Sequence, residues 1–216
     1  MSHFSVYVFT KDGGRDVDDL LAPYDERIVY PPYIISTKEQ TIKKVRKNIE
    51  DYKNGRYAEY LADPEKYKSN CSNTQHIEYL EKEFPKKLNW TDEECYESER
   101  QYYEDDMVDE EGNLLSTYNP NSKWDWYEVG GRWSGSIVTN DGDEVDSWLA
   151  KGVNWDKTAI PFAFVDPSGK WHERGQMGWW AIVTDEKEKD EWDAEFRVFL
   201  DKLDKGVTIT VVDCHI

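Results

Sequence analysis

The strongest constraint on the fold is an apolar stripe on one predicted helix, residues 187–203. Large apolar side chains recur there at spacings of three and four, the pattern of a helix with one face packed on a sheet. They are Trp192, Phe196, Phe199, Leu200 and Leu203. Gly206 ends this helix, and the alternating residues of Val207–Asp213 predict a strand directly after it. The stripe therefore requires a sheet with this helix on one face.

A second strand is predicted at the other end of the chain. Phe4–Phe9 alternates β-branched and aromatic residues and is closed by the turn residues Asp12-Gly13-Gly14. We expect the two terminal strands to be neighbours. The predicted fold class is α+β, a mostly antiparallel sheet with helices packed on one face and an acidic helical insertion.

The insertion, residues 52–112, lies inside a predicted single domain that spans residues 1–216. Thr37 with Gln40, and Thr91 with Glu94, match the capping-box pattern that begins a helix. The second predicted helix reaches about Tyr103. After Gly112 the sequence changes to turn residues and short β-like runs, at residues 114–118, 124–129, 133–139, 160–165 and 179–184.

The net charge is −18 and is unevenly spread. Residues 91–111 hold eleven Asp and Glu against one base, Arg100. Such a surface repels a nucleic-acid backbone, so direct nucleic-acid binding is not expected. Two interpretations stay open: a solvated face that keeps the protein soluble, or a negative surface that docks on a basic partner protein.

Composition also bears on compartment. No run approaches the roughly 18 apolar residues that a membrane helix needs, and the first residues carry no secretion signal. The three cysteines form no C-x-x-C pair, which predicts reduced thiols rather than a disulfide framework. We therefore expect a cytoplasmic protein without membrane association.

The segment 119–133 is the richest in aromatic residues. Trp124, Trp126 and Trp133 lie near a Gly-Gly turn that is followed by Arg132. In a regular strand, Trp124 and Trp126 would share one face, with Asp125 on the other. An arginine beside aromatic faces suits a planar ring attached to a phosphate or carboxylate. The alternative is that the rings belong to the core and that Arg132 pairs with Asp125 or Glu128.

The two ends of the chain supply the candidate catalytic residues. If the terminal strands are antiparallel neighbours, His3 lies beside Asp213 and His215. Such a group suits acid–base chemistry or a metal. His3-Phe4-Ser5 also matches the short motif of two-histidine phosphoesterases, but no second copy follows His215. Cys214 points away from its neighbour His215, which disfavours a Cys–His pair.

Taken together, several short motifs resemble a family of uncharacterised proteins found in bacteriophages and prophages. The match runs along the whole chain, is densest after Asn119 and is weak between residues 52 and 112. The motifs are Ser2–Phe4, Leu21–Tyr24, Asn119–Asn121, Lys123–Tyr127, Gly130–Trp133, Glu173–Gly175, Met177–Trp180 and Val212–Ile216.

The resemblance implies a phage origin and, with it, a host-takeover or counter-defence role in the host bacterial cytoplasm. The predicted ligand-binding residues are Trp124, Asp125, Trp126, Arg132, Trp133, Arg174 and Trp179. We expect the chain to bind a small nucleotide-like anion, with hydrolysis left open. The alternative is an acidic inhibitor that docks on a basic host protein without catalysis. Metal, cofactor and oligomeric state are not specified by the sequence.

Overall fold

The structure, a computed structural model, describes residues 2–178 and 182–216. The chain forms two compact units, one of Met1–Val29 with Tyr118–Ile216 and one of Tyr30–Thr117. The predicted insertion, residues 52–112, lies within the second unit. The fold is α+β, as the sequence predicts, with a mostly antiparallel mixed sheet and helices.

The first unit is built around the pairing of the two terminal strands. Strands β1 (His3–Lys11) and β12 (Val207–His215) are antiparallel neighbours along their whole length, so that prediction is confirmed. The main sheet has the order β4-β12-β1-β8-β9, with β7 also paired to β12 and only β1 and β8 parallel. The other strands of this sheet are β4 (Trp126–Val129), β7 (Ser147–Leu149), β8 (Ala163–Val165) and β9 (Trp171–Glu173).

One face of the sheet is covered by the predicted C-terminal helix, here α8 (Lys189–Asp201). Its buried apolar side chains are Trp192, Phe196 and Leu200, which pack against the odd-numbered residues of the central strands. These are Tyr7, Phe9, Ile209 and Val211. The alternating apolar side chains of the strands and the apolar side chains of the helix thus pack together in one core.

Even-numbered residues of the same strands build a second core on the opposite face. Val6 and Val212 pack there with Leu20 and Leu21 of the short helix α1 (Val17–Leu21). The Asp16 side chain caps this helix by accepting a hydrogen bond from the backbone N–H of Asp19, 2.8 Å away.

Most of the short β-like runs are shorter in the structure than the sequence predicts. The run predicted at residues 133–139, for example, forms a strand only at Ile137–Val138. A 3₁₀ turn of residues 131–133 precedes it, where Gly130 and Gly131 both adopt positive φ, 73° and 51°. Four short strands form two further ribbons. They are β5 (Ile137–Val138) with β6 (Glu144–Val145), and β10 (Gln176–Met177) with β11 (Val183–Thr184).

The second unit is mainly helical. Helices α2 (Lys38–Tyr52) and α7 (Asp92–Arg100) begin at the two predicted capping boxes, both of which are present. Helix α7 ends three residues before Tyr103. Strands β2 (Tyr33–Ser36) and β3 (Leu114–Ser116) pair, and four short helices complete the unit. They are α3 (Ala58–Ala62), α4 (Pro64–Asn70), α5 (Thr74–Glu78) and α6 (Phe84–Lys87).

Helix α7 carries much of the predicted acidic stretch and lies against basic residues of α2. Lys38 pairs with Glu93 at 3.0 Å, Lys44 pairs with Glu99 at 3.4 Å, and Arg46 pairs with Asp92. Part of the local negative charge is therefore compensated within the unit itself. None of the helices in the described residues has both the length and the apolar character needed to cross a membrane.

Candidate functional site

The three predicted catalytic residues lie together at one end of the main sheet. His3 is directly opposite His215 in the antiparallel ladder, and Asp213 is two positions from His215 on the same strand. All three are odd-numbered and so share the face that α8 covers further along the strands. The row of apolar side chains on that face gives way here to buried polar ones.

The first pair joins His3 to Asp213. Nδ1 of His3 donates a hydrogen bond to Oδ1 of Asp213 across 2.9 Å, and the backbone N–H of Arg132 donates to Oδ2 across 3.1 Å. Only 2% of the Asp213 side chain is exposed. Because a buried carboxylate is costly without partners, these two donors are what allow it to remain in the sheet.

Gly131 makes this arrangement possible. A Cβ atom on Gly131 would lie 2.7 Å from Oδ2 of Asp213, and φ at this residue is +51°. A neighbouring carboxylate, that of Asp146, accepts hydrogen bonds from the backbone N–H of Gly135 (2.6 Å) and from Oγ of Ser134 (3.2 Å). Asp213 therefore holds the Gly-Gly turn against β12, and Asp146 holds the two residues that follow Trp133.

A second pair joins His215 to Asp125. Nδ1 of His215 donates to Oδ1 of Asp125 at 2.6 Å, while the backbone N–H of Asp125 donates to the carbonyl of His215 at 2.9 Å. Nε2 of His215 is buried and has no hydrogen-bond partner. Since nearly all buried polar atoms in proteins are paired, an exception of this kind needs an explanation.

Aromatic contacts fix the two imidazoles relative to each other. The His3 and His215 rings meet edge to face with centroids 4.9 Å apart. Trp126 stacks on His215 at 5.1 Å and 15°, and its ring lies 5.3 Å from that of His3. Trp126 itself remains 42% exposed.

The predicted faces of Trp124 and Asp125 are wrong. Trp124 is buried in the core on the opposite side of the sheet, where its ring meets Tyr127 at 4.9 Å and its Nε1 donates to the Leu21 carbonyl. Strand β4 begins only at Trp126, and Trp124 instead forms an isolated bridge with Asp25. Regular alternation therefore does not apply to residues 124 and 125, and Asp125 reaches His215.

Arg132 and Trp133 follow the glycine turn, and their side chains differ in environment. Trp133 packs against the core beneath α8. The Arg132 side chain is exposed, and within the described residues its guanidinium has no hydrogen bond or ion pair. The alternative in which Arg132 pairs with Asp125 or Glu128 is therefore not observed.

Arg174, another predicted ligand-binding residue, lies away from this group. Arg174 follows β9, three strands from β12 in the sheet order, where it pairs with Glu186 and lies over the Phe162 ring at 5.7 Å. Trp179 falls outside the described residues.

Cys214 lies between Asp213 and His215 on β12, but its side chain is on the opposite face. It is fully buried among Val212 and other apolar side chains. Burial, followed by the nearby Asp213 charge, raises the pKa of the Cys214 thiol well above its usual range. A thiol in this state is a poor nucleophile.

The arrangement as a whole is two histidine–aspartate pairs beside an exposed indole ring and an unpaired arginine. No family model, curated protein or solved structure matches the chain. In the described part of the chain, no three His, Cys, Asp or Glu side chains form a set that could hold a metal ion. The chemistry of the site is therefore inferred from its own geometry.

Sequence reasoning identified the Gly-Gly turn but missed Asp146 and the close approach of Gly131 to Asp213. It placed Asp125 among the ligand-binding residues, whereas the structure places its carboxylate on His215. The repeated glycines before Arg132 were the available signal for the close contact at Gly131, because a close approach of backbone to another group is a common reason for glycine. Nothing in the sequence pattern pointed to the Asp125–His215 pair.

Proposed function

We propose that this site binds a small, nucleotide-like anionic ligand. The observation that carries the proposal is Nε2 of His215, which is buried and lacks a partner beside His3 and Trp126. Leaving such an atom unsatisfied costs about 1–3 kcal/mol. A ligand atom that makes a hydrogen bond there would remove that cost, which supports binding at this position.

Trp126 supplies the surface for a planar ring. One of its faces is stacked on His215, and its exposed fraction of 42% leaves indole surface open to solvent. Aromatic rings stack favourably on such surfaces in offset or edge-to-face arrangements. A nucleotide is a common biological ligand that combines a planar ring, its base, with an attached anion, its phosphate.

Arg132 supplies the positive charge. Its backbone is hydrogen-bonded to Asp213, so its side chain starts beside the histidine pair, and its guanidinium is unpaired in the described residues. A guanidinium holds phosphate or carboxylate through two parallel hydrogen bonds. The net charge of −18 repels long polyanions, which favours a ligand that carries few charges.

The biological setting of this proposal rests on the resemblance to phage proteins. In that setting we place the protein among phage accessory proteins that alter host metabolism or counter host defences. Binding of a small nucleotide-like signal or metabolite would suit either role.

Calorimetric titration with AMP, 3′,5′-cyclic AMP and cyclic di-AMP tests the proposal. Arg132→Ala and Trp126→Ala should each weaken binding about tenfold or more, because a charge-assisted hydrogen bond or a stacked base contributes roughly 1.5–3 kcal/mol. Two matched controls are Arg197→Ala, which removes an exposed arginine of α8, and Trp148→Ala, which removes a β7 indole that is also 42% exposed.

The controls should bind like the unmodified protein. Unchanged affinity in Arg132→Ala together with a lowered melting temperature would show that Arg132 only stabilises the fold. Absence of binding to every probe would contradict the proposal itself.

A further inference from the structure

The two histidine–aspartate pairs have the same construction. In each, Nδ1 faces a carboxylate oxygen, at 2.9 Å for His3 and at 2.6 Å for His215. An ionised carboxylate only accepts hydrogen bonds, so Nδ1 carries the proton in both rings. Nε2 is then the position of each ring that gains or loses a proton, and the carboxylate stabilises the ring when it is charged.

Two such rings in edge-to-face contact supply both halves of acid–base catalysis. A single histidine removes or donates a proton, whereas two adjacent histidines do both within one step. The ring centroids lie 4.9 Å apart, so the two imidazoles are direct neighbours at this end of the sheet.

We propose that His3 and His215 are the general base and general acid for cleavage of a phosphodiester bond in the small nucleotide-like ligand. This rests on the proposed function. The neutral imidazole takes the proton from the attacking hydroxyl, either of water or of the substrate's ribose, and a new P–O bond forms. The P–O bond to the leaving group breaks, and the imidazolium gives its proton to the leaving oxygen. One proton is taken and one is given, and the rings return to their starting states by exchange with water.

The charges around the site select a diester over other phosphates. A phosphodiester carries one negative charge, which the single unpaired Arg132 matches, whereas a nucleoside triphosphate would bring several charges next to Asp213 and Asp125. A diester also leaves as an alkoxide, which has to be protonated, and this is the step that a second histidine serves.

Asp213 and Asp125 act as positioning residues in this scheme, because each holds a ring in one tautomer and orientation. Their replacement by Asn keeps the size of the side chain and removes the charge. We expect Asp125→Asn and Asp213→Asn to lower kcat and to distort the pH profile while leaving KM nearly unchanged, which a merely structural role would not do.

The test is turnover of 3′,5′-cyclic AMP, cyclic di-AMP and the dinucleotide ApA by the full chain, followed by phosphorus NMR across pH 4–9. We expect a bell-shaped profile, because catalysis needs one neutral and one charged imidazole. His3→Gln and His215→Gln should each reduce kcat by about 10²-fold or more. His3→Gln should keep the affinity for the probes within about threefold, whereas His215→Gln also removes the ring nitrogen on which the proposed binding rests. The control is His172→Gln. His172 lies on strand β9 and has its own aspartate partner, Asp166, at 3.1 Å.

Several outcomes would overturn the proposal. Binding of the probes without turnover of any of them would leave a binding site and no acid–base pair, whereas absence of binding would remove the proposed function as well. Loss of turnover with EDTA and recovery with Zn²⁺ would assign the histidines to a metal instead. If a histidine variant fails to fold, the pH profile of the unmodified protein decides, since a one-sided profile excludes a pair.

Discussion

Charged groups are held in opposite ways in the two compact units. In the unit of residues 30–117, the carboxylates of α7 lie exposed and pair with lysine and arginine side chains of α2. At the end of the main sheet, Asp213 and the two imidazoles are almost wholly buried, and the partners lie far apart in sequence. The first arrangement has many charged side chains in contact with water, while the second has few charged side chains, most of them buried.

The difference shows which polar feature is informative about function. Exposed ion pairs stabilise a protein by at most about 1 kcal/mol each, so a chain acquires and loses them easily. A buried carboxylate with two donors and a buried imidazole nitrogen with no partner are costly to maintain. The acidic stretch dominates the charged composition, yet the buried carboxylate and imidazole, which are more costly to maintain, are the groups that indicate the site. The ion pairs between the acidic stretch and α2 also reduce the negative charge that an acidic docking surface could present to a basic partner.

The largest effect is expected from closing the space beside Asp213. Gly131→Ala places a methyl group against Oδ2 and a non-glycine residue at positive φ, so we expect a loss of about 3 kcal/mol or more in the free energy of unfolding. Urea denaturation measures it. The control is Gly142→Ala, also at positive φ but with no atom within 4 Å of the new Cβ, which should cost about 1–2 kcal/mol. Equal losses in the two variants would mean that the turn is not packed on Asp213.

A smaller effect is expected from reversing paired charges on α7. The triple variant Asp92→Lys, Glu93→Lys and Glu99→Lys turns three attractions with α2 into repulsions, so we expect a loss of about 1–3 kcal/mol. Adding Lys38→Glu should recover part of it by restoring one pair. A loss that does not respond to this second change would locate the effect outside the ion pairs.

The smallest effect is expected from acidic residues without partners. Glu97, Glu104, Asp106 and Glu110 are exposed and have no ion pair in the described part of the chain. Reversing all four to Lys should change stability by no more than about 0.5 kcal/mol and leave ligand affinity unchanged. Loss of activity in infected cells, with folding and ligand binding intact, would instead favour the acidic-inhibitor alternative.

The sequence predicted most of the framework because the relevant signals are local. Thr37 and Thr91 begin their helices through hydrogen bonds three residues away, and the stripe from Trp192 to Leu200 depends only on helical spacing. The meeting of His3 with His215 followed from one further assumption, that the terminal strands pair. The predictions failed where the backbone is irregular, because there the sequence did not indicate on which side of the sheet a side chain lies.

Trp124 and Asp125 illustrate the limit. Alternation assigns them to faces only where the chain is a strand, and the bridge from Trp124 to Asp25 delays the strand until Trp126. The Trp124 ring packs among Leu20 and Leu21, and this packing delays the start of the strand. Because of the delay, the Asp125 side chain contacts His215 instead of pointing into solvent. Such tertiary packing overrides what periodicity predicts.

The separation of 210 residues between His3 and Asp213 has a consequence for synthesis of the protein. The strand that carries His3 leaves the ribosome before its partner β12, which follows about 10–40 s later at roughly 5–20 residues per second. During that interval β1 has an unpaired apolar edge, a feature that promotes association with other chains. Incomplete chains therefore lack the histidine pair, and chaperones that shield β1 until translation reaches β12 should raise the yield of folded protein.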